Sequence, residues 1–107
     1  MSSVPQVNDS NFDAEVIKSG VPVMVDFYAT WCGPCKQLAP IVEQLAKDYT
    51  GKIKVVKLDI DEAPAIASSH GIMAVPTIIL FKGGAEKAKL TGFRPLPALE
   101  AEIKKLL

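Results

Sequence analysis

The sequence feature that most constrains the fold is an apolar run that ends just before a predicted helix start. Residues 21–29 read Val-Pro-Val-Met-Val-Asp-Phe-Tyr-Ala, a run rich in β-branched and aromatic side chains that contains one carboxylate, Asp26. A strand with one solvent face alternates apolar and polar residues, whereas a strand buried on both faces does not. We therefore expect a central strand that other elements cover on both sides.

The rest of the chain predicts a mixed sheet flanked by helices. Apolar residues recur at helical spacing in residues 10–20, 33–49, 63–69 and 95–107. Three further strands are expected, at residues 52–59, 77–81 and 88–91. Alternating strands and helices imply parallel strands in the first half, and Gly83-Gly84 implies a hairpin in the second. The predicted fold class is α/β, with helices on both faces of a central mixed β-sheet and a single domain over residues 1–107.

Two local details of these helices follow from single residues. Ser10, with Asp13 three residues later, is expected to cap the first helix through its hydroxyl oxygen. Pro40 falls inside the apolar pattern of the second helix. Because that pattern continues beyond it, Pro40 is expected to bend the helix without ending it.

Charge and hydropathy exclude several classes of protein. The chain carries 12 Lys plus Arg and 12 Asp plus Glu, so no net field attracts nucleic acid or an anionic membrane. Its longest apolar stretches are strand-length and fall short of the ~20 residues of a membrane helix. Residues 1–6 show no basic segment followed by an apolar one, so no secretory signal is expected. A cytoplasmic protein is expected, although a processed organellar form would have the same features.

The two cysteines of the chain lie at the start of the second predicted helix. Cys32 and Cys35 are three residues apart, which places them on one side of the first turn at about 5–6 Å, a spacing that suits a disulfide. Amide groups and the helix dipole there stabilise a thiolate, so the thiol pKa can fall below the usual ~8.5. We expect Cys32 to face solvent as the nucleophile, and Cys35 to face the core as the resolving thiol.

The two residues between the cysteines support a reactive pair rather than a metal site. Gly33 leaves room for a substrate backbone, and Pro34 fixes φ in the first helical turn, where its missing N–H has no consequence. The alternative is half of a zinc site, but tetrahedral zinc needs four ligands. The chain offers two cysteines and His70, so no metal is expected. His70 is placed at a helix end, outside the chemistry.

Three further residues have more than one interpretation. Asp26 is either a solvent contact at a strand end or a buried carboxylate. A central strand favours burial, which raises the pKa of the carboxyl group and makes it a base for Cys35. Pro76, after Val75, either starts an edge strand or forms a cis turn, and the residues alone leave both open. Trp31 is a core aromatic or a lid, and its place beside Cys32 favours the lid.

These residues together resemble one family along essentially the whole chain. The chain resembles thioredoxins, because the matching residues occur in the order and at the spacings typical of that family. They are residues 25–27, 31–36 and 75–77, with Pro40, Lys57, Asp61 and Gly92. The resemblance implies the thioredoxin fold and protein disulfide reduction. It also implies no bound cofactor, with electrons supplied from NADPH through thioredoxin reductase. Cys-Gly-Pro-Cys is similar to the reducing members of the family.

The resemblance also implies roles for residues outside the cysteine pair. Lys57 would be the charge that tunes Asp26, whereas from the residues alone a solvated strand-end lysine is equally favoured. Pro76 would be cis against Cys32, with Val75 offering backbone groups to an extended substrate. Gly92 and Phe93 would complete an apolar docking patch.

The predicted function is a general protein disulfide reductase that maintains redox homeostasis and donates electrons to reductive enzymes. Its expected partners are thioredoxin reductase and protein disulfides, and it is expected to be a monomer that binds neither nucleic acid nor membrane. The alternative is a binding or chaperone-like module that uses the apolar patch, with incidental thiols.

The chain also departs from the family pattern at positions expected to affect target preference. Tyr28 stands where thioredoxins usually have a second tryptophan, Met73-Ala74 make the loop before Val75 apolar, and Phe93-Arg94 follow Gly92.

Overall fold

The apolar run at residues 21–29 forms the middle strand of a five-stranded sheet. The computed structural model describes residues 4–107. The prediction that no secretory signal is present used residues 1–6, of which residues 1–3 lie outside the described residues. Along the sheet the strand order is β1-β3-β2-β4-β5. The strands are β1 (Gln6–Val7), β2 (Val23–Tyr28), β3 (Lys54–Asp59), β4 (Thr77–Lys82) and β5 (Ala85–Thr91). β3 is parallel to β1 and β2, whereas β4 is antiparallel to β2 and β5, which confirms the predicted mixed sheet.

Three helices and one wide helical turn flank this sheet. The helices are α1 (Gly33–Asp48), α2 (Pro64–Ser69) and α3 (Leu96–Lys104), and the turn covers Asp13–Ile17. α1 runs through Pro40 without ending, as predicted. The first helical segment is much shorter than expected, and its carbonyl at Asp13 accepts from the N–H of Lys18, five residues later.

The predicted cap of the first helix is wrong. Ser10 does not accept a hydrogen bond from a helical N–H; its hydroxyl and its backbone N–H both donate to Asn8 Oδ1, at 2.6 and 2.9 Å. Asn8 Oδ1 is also 3.3 Å from the N–H of Asn11. The amide oxygen of Asn8 therefore organises the turn that leads into Asp13–Ile17, because it reaches these donors with a short side chain.

Two apolar layers form the core, one on each face of the sheet. On one face α1 and α3 bury Leu38, Val42, Leu45, Leu99 and Ile103 against the strands. On the other face the first helical turn and α2 cover a second cluster, which includes Phe12, Val16, Val25, Phe27, Leu58 and Phe81. The predicted arrangement of helices on both faces is confirmed. No helix among residues 4–107 is long and apolar enough to cross a membrane.

The register of β2 against β3 places two charged residues side by side. Asp26 pairs with Lys57 across these parallel strands. Side chains alternate between the faces of a strand, and Met24 and Val55, two residues before each, belong to the cluster under α1. Asp26 and Lys57 therefore share the α1 face, close to where β2 ends and α1 begins.

We expect Leu45→Ala to destabilise the protein by about 2–5 kcal/mol, since it removes apolar atoms and leaves a cavity in the core. Leu45 lies in α1, is fully buried, and is far along the helix from the cysteine pair. The matched control is Leu107→Ala, because Leu107 is exposed and its truncation is expected to change stability by less than about 0.5 kcal/mol. Urea unfolding measures both; equal effects would contradict the described core.

Candidate active site

The cysteine pair lies where α1 begins. Cys32 is the N-cap residue, with extended backbone angles of φ −92° and ψ 114°, and its Sγ accepts the backbone N–H of Cys35 at 3.2 Å. The two residues form a disulfide, and their Cα atoms are 5.3 Å apart. This separation agrees with the 5–6 Å expected from helical spacing. A charge on Cys32 Sγ would face the positive end of the α1 dipole and a donating amide.

The expected difference in exposure between the two cysteines is absent. In the disulfide form Cys32 is 5% exposed and Cys35 is 4% exposed. Cys32 is covered because the loop before β4 lies against it: Cys32 Sγ is 3.7 Å from the carbonyl oxygen of Val75, and Val75 packs on the pair. The two residues differ in their surroundings instead, since Cys32 meets this loop and Cys35 lines a partly open cavity on the side of Asp26.

The loop that covers Cys32 is held from both sides. The Val75–Pro76 bond is cis, the isomer that the resemblance implies. Thr77 Oγ1 donates to the carbonyl of Ala74 at 2.7 Å, and the N–H of Gly92 donates to the carbonyl of Pro76 at 2.8 Å. Gly92 has φ +92°, a conformation that side chains other than glycine rarely adopt. Glycine at position 92 therefore permits the backbone geometry that supports Pro76.

Asp26 is buried, as the apolar run predicts. Its side chain is 4% exposed, and its Oδ1 atom has no hydrogen-bond partner among the described residues. Burial raises the pKa of Asp26 to about 7, and the nearby positive charge of Lys57 partly opposes that rise. The carboxyl group therefore changes its charge near neutral pH, in the range where a general base is most useful.

A cavity of about 250 Å³ connects Asp26 to Cys35. Its lining also includes Lys57, Tyr28 and Ala39. A space of this size, with polar groups at both ends, has room for water molecules that bridge the carboxylate and the sulfur. The arrangement can therefore move a proton between Asp26 and Cys35 without direct contact.

Tyr28 lies on this inner side of the site. It packs against the cysteine cluster, and the ammonium of Lys57 is 5.8 Å from the centre of its ring. The sequence alone connects Tyr28 with target preference, and its position beside Lys57 is seen only in the structure. The strand register could have found it, because Tyr28 is two residues from Asp26 on the same face of β2.

Exposed apolar side chains lie on the segments that meet at the cysteine pair. Trp31 is 68% exposed, which favours the lid interpretation, and its Nε1 donates to Asp61 Oδ2 at 2.9 Å. Met73 and Phe93 are also exposed. A Cβ atom added at Gly33 would meet nothing within 4 Å, so the space in front of this residue is open.

The remaining candidate, His70, lies at a helix end as expected. It is the C-cap residue of α2, and its Nδ1 is 2.7 Å from Glu86 Oε2. Among residues 4–107, no group of three or more His, Cys, Asp or Glu side chains could hold a metal ion.

Comparison with known proteins agrees with this geometry. The family model described as Thioredoxin matches residues 3–105. The chain belongs to the thioredoxin family. Thioredoxins are thiol–disulfide oxidoreductases, so this chain is an enzyme of that class, and the alternative of a binding module is not favoured. The thioredoxin fold predicted from the sequence is confirmed.

Named thioredoxins from cyanobacteria and plants are similar to the chain over its full length. It is 49% identical to Thioredoxin 1 of Nostoc sp. and 46% identical to Thioredoxin of Synechocystis sp., with all 107 residues and the whole of each relative covered. It is also 49% identical to the chloroplastic Thioredoxin M-type of Spinacia oleracea, of which the match covers 59%.

We expect Asp26→Asn to stabilise the protein by about 1–4 kcal/mol at pH 8, because a charged carboxylate is no longer buried. The pKa of Asp26 is about 7 in the folded chain against 3.8 as its ordinary value. Between these values the folded state binds more protons than the unfolded state, so wild-type stability falls as pH rises. The advantage of Asp26→Asn should therefore grow from pH 4 to pH 8.

Urea unfolding across this pH range measures the difference. Asp48→Asn is the control, since Asp48 is exposed at the end of α1 and its charge should change stability by no more than about 0.5 kcal/mol. A constant difference between wild type and Asp26→Asn at every pH would show that Asp26 does not titrate in this range.

Proposed function

We propose that this chain is a general protein disulfide reductase in which Cys32 attacks the target and Cys35 resolves the intermediate. The observation that carries the proposal is the position of Cys32 as N-cap of α1, where its Sγ accepts the N–H of Cys35. A sulfur in this environment is stabilised as a thiolate, the reactive form in disulfide exchange.

The first step forms a mixed disulfide. The Cys32 thiolate attacks one sulfur of the target disulfide, a new sulfur–sulfur bond forms, and the other target sulfur leaves as a thiolate. The open space at Gly33 and the carbonyl of Val75, 3.7 Å from Cys32 Sγ, support docking of an extended target backbone beside this sulfur. Trp31, Pro76 and Phe93 would contact its apolar side chains.

The second step releases the target. Asp26 removes the proton from Cys35, directly or through water in the shared cavity, and the Cys35 thiolate attacks Cys32 Sγ. The mixed disulfide breaks, the target leaves with both sulfurs reduced, and Cys32–Cys35 becomes the disulfide. Two electrons have then passed to the target. Lys57, paired with Asp26 across β2 and β3, adjusts how readily that carboxyl group binds its proton.

The enzyme needs a source of electrons and a set of targets. We assign these to NADPH acting through a thioredoxin reductase, and to protein disulfides such as those of reductive enzymes, which would make the chain an electron carrier in redox homeostasis. It would act as a monomer, without nucleic acid, membrane or a bound cofactor. We propose a cytoplasmic location; the alternative is an organellar form, since the spinach relative is named as chloroplastic.

Insulin reduction with thioredoxin reductase and NADPH tests the whole cycle. Wild type should consume NADPH in proportion to insulin disulfides reduced, and Cys32→Ser should show no turnover above background. Asp26→Asn should lower kcat by about 10- to 100-fold at neutral pH, because a positioned general base accelerates a reaction by at least about this factor. Unchanged turnover in Asp26→Asn would remove Asp26 from the mechanism.

Mixed-disulfide trapping assigns the two sulfurs separately. Cys35→Ser should accumulate a covalent complex with a protein disulfide, because Cys32 attacks and nothing resolves the product. Cys32→Ser is the matched control and should give little complex in the same time. Non-reducing gel electrophoresis with mass spectrometry counts the complexes. Equal trapping by both variants would contradict the assigned order of attack.

A further inference from the structure

Met73 is the most exposed large apolar side chain among the described residues. It is 97% exposed, whereas Met24 in β2 is 0% exposed. The chain has one other methionine, Met1, which lies outside the described residues. A thioether in open solvent is accessible to peroxides, and one in a packed core is protected. Oxidation should therefore discriminate strongly between Met73 and Met24.

The loop that carries Met73 also contacts the redox pair. Met73 is two residues before Val75, whose carbonyl oxygen is 3.7 Å from Cys32 Sγ. The intervening residue, Ala74, accepts a hydrogen bond from Thr77 Oγ1 at 2.7 Å, so the backbone next to Met73 is held in place. Met73 is therefore presented beside the site where a target disulfide must approach.

We propose that Met73 is an oxidation site through which peroxide lowers the rate of protein disulfide reduction while the chemistry of the cysteine pair is preserved. The proposal rests on the disulfide reductase function proposed above. It adds a modified residue and a regulatory consequence that the cysteine mechanism does not contain.

The oxidation step is balanced with a hydroperoxide as the oxidant. The Met73 sulfur attacks one peroxide oxygen, a sulfur–oxygen bond forms, and the oxygen–oxygen bond breaks. The proton on the transferred oxygen passes to the leaving hydroxide, so hydrogen peroxide yields one water and one methionine sulfoxide. The sulfur loses two electrons and the peroxide gains them.

The expected consequence follows from the change in polarity. A sulfoxide is strongly polar and accepts hydrogen bonds from water, so an apolar target surface would have to desolvate it on docking. Met73, Trp31 and Phe93 are exposed large apolar residues. They lie on segments that reach the pair, since Trp31 precedes Cys32, and Val75 and Gly92 belong to the contacts of the loop that covers it. The sulfoxide carries no net charge, so the electrostatics around Cys32 and Asp26 are preserved.

Peptide mapping tests the modification itself. The protein is treated with hydrogen peroxide while Cys32 and Cys35 are joined in their disulfide, which protects both sulfurs. Met73 should gain one oxygen atom at least about tenfold faster than Met24, given their difference in exposure. Equal rates at Met73 and Met24 would overturn the selectivity on which the inference depends.

Single-turnover kinetics test the consequence. The treated protein is reduced with a dithiol, the dithiol is removed, and peptide mapping is repeated to verify the sulfoxide. We expect the rate constant with insulin to fall about three- to tenfold, the loss typical of one weakened interface contact. The rate constant with a small aromatic disulfide, which needs little of the docking face, should change less than about twofold.

Two variants distinguish the effect of oxidising Met73 from the effect of oxidising any other residue. Met73→Leu has a similar volume and cannot form a sulfoxide, so its insulin rate constant should be the same before and after peroxide. Met73→Gln places a polar group of similar length there and should show the insulin defect without peroxide. Peroxide sensitivity in Met73→Leu, or equal losses with both disulfides, would overturn the proposal.

Untreated wild type distinguishes failure of the disulfide reductase function from failure of the Met73 proposal. If it reduces neither disulfide, the disulfide reductase function is wrong and this inference fails with it. If it reduces both, and the Met73 sulfoxide form reduces insulin at the wild-type rate, the inference alone is wrong.

Discussion

Burial of β2 on both faces determines where every other part of the site can lie. α1 and α3 cover one face of the strand, and the first helical turn and α2 cover the other. The chain leaves β2 after Tyr28 and enters α1 at Gly33, so the N-terminus of α1 is fixed at the carboxyl end of the central strand. This is the edge at which sites form in open α/β sheets. Asp26, two residues before that end, therefore lies under α1, the helix that contains Cys35.

The site gives two ionisable groups opposite properties by two different means. The amide of Cys35 and the dipole of α1 favour a charged sulfur at Cys32, whereas desolvation favours a neutral carboxyl at Asp26. A charged Asp26 lowers the stability of the folded state, but the apolar core on either side of the sheet contributes far more stabilisation than this charge removes. A carboxylate with better partners would be more stable and would be a weaker base at neutral pH.

Sequence predicted the parts of the fold that depend on strong local patterns. β2 and its burial follow from an uninterrupted apolar run, and the continuation of α1 through Pro40 follows from apolar periodicity on both sides of it. β1, only Gln6–Val7, was missed because two residues give no pattern. The Ser10 cap was wrong because the Ser10 hydroxyl donates to Asn8 Oδ1, two residues earlier, and the same oxygen accepts the N–H of Asn11. The exposure of Cys32 was wrong because Val75, which covers it, is distant in sequence and brought there by the fold.

The cysteine pair separates two environments that constrain different steps. Cys35 faces a partly open cavity that it shares with Asp26 and Lys57, where we expect a change of size or charge to alter proton transfer. Cys32 faces a loop and an open apolar surface, where side chains such as Met73 and Phe93 project into solvent. Side chains on that outer surface can change without disturbing the core, because exposed positions have little effect on stability. We therefore expect departures from the family pattern at Met73 and Phe93 to affect the choice of target. We expect Tyr28, whose ring lies 5.8 Å from the Lys57 ammonium, to affect the surroundings of Asp26.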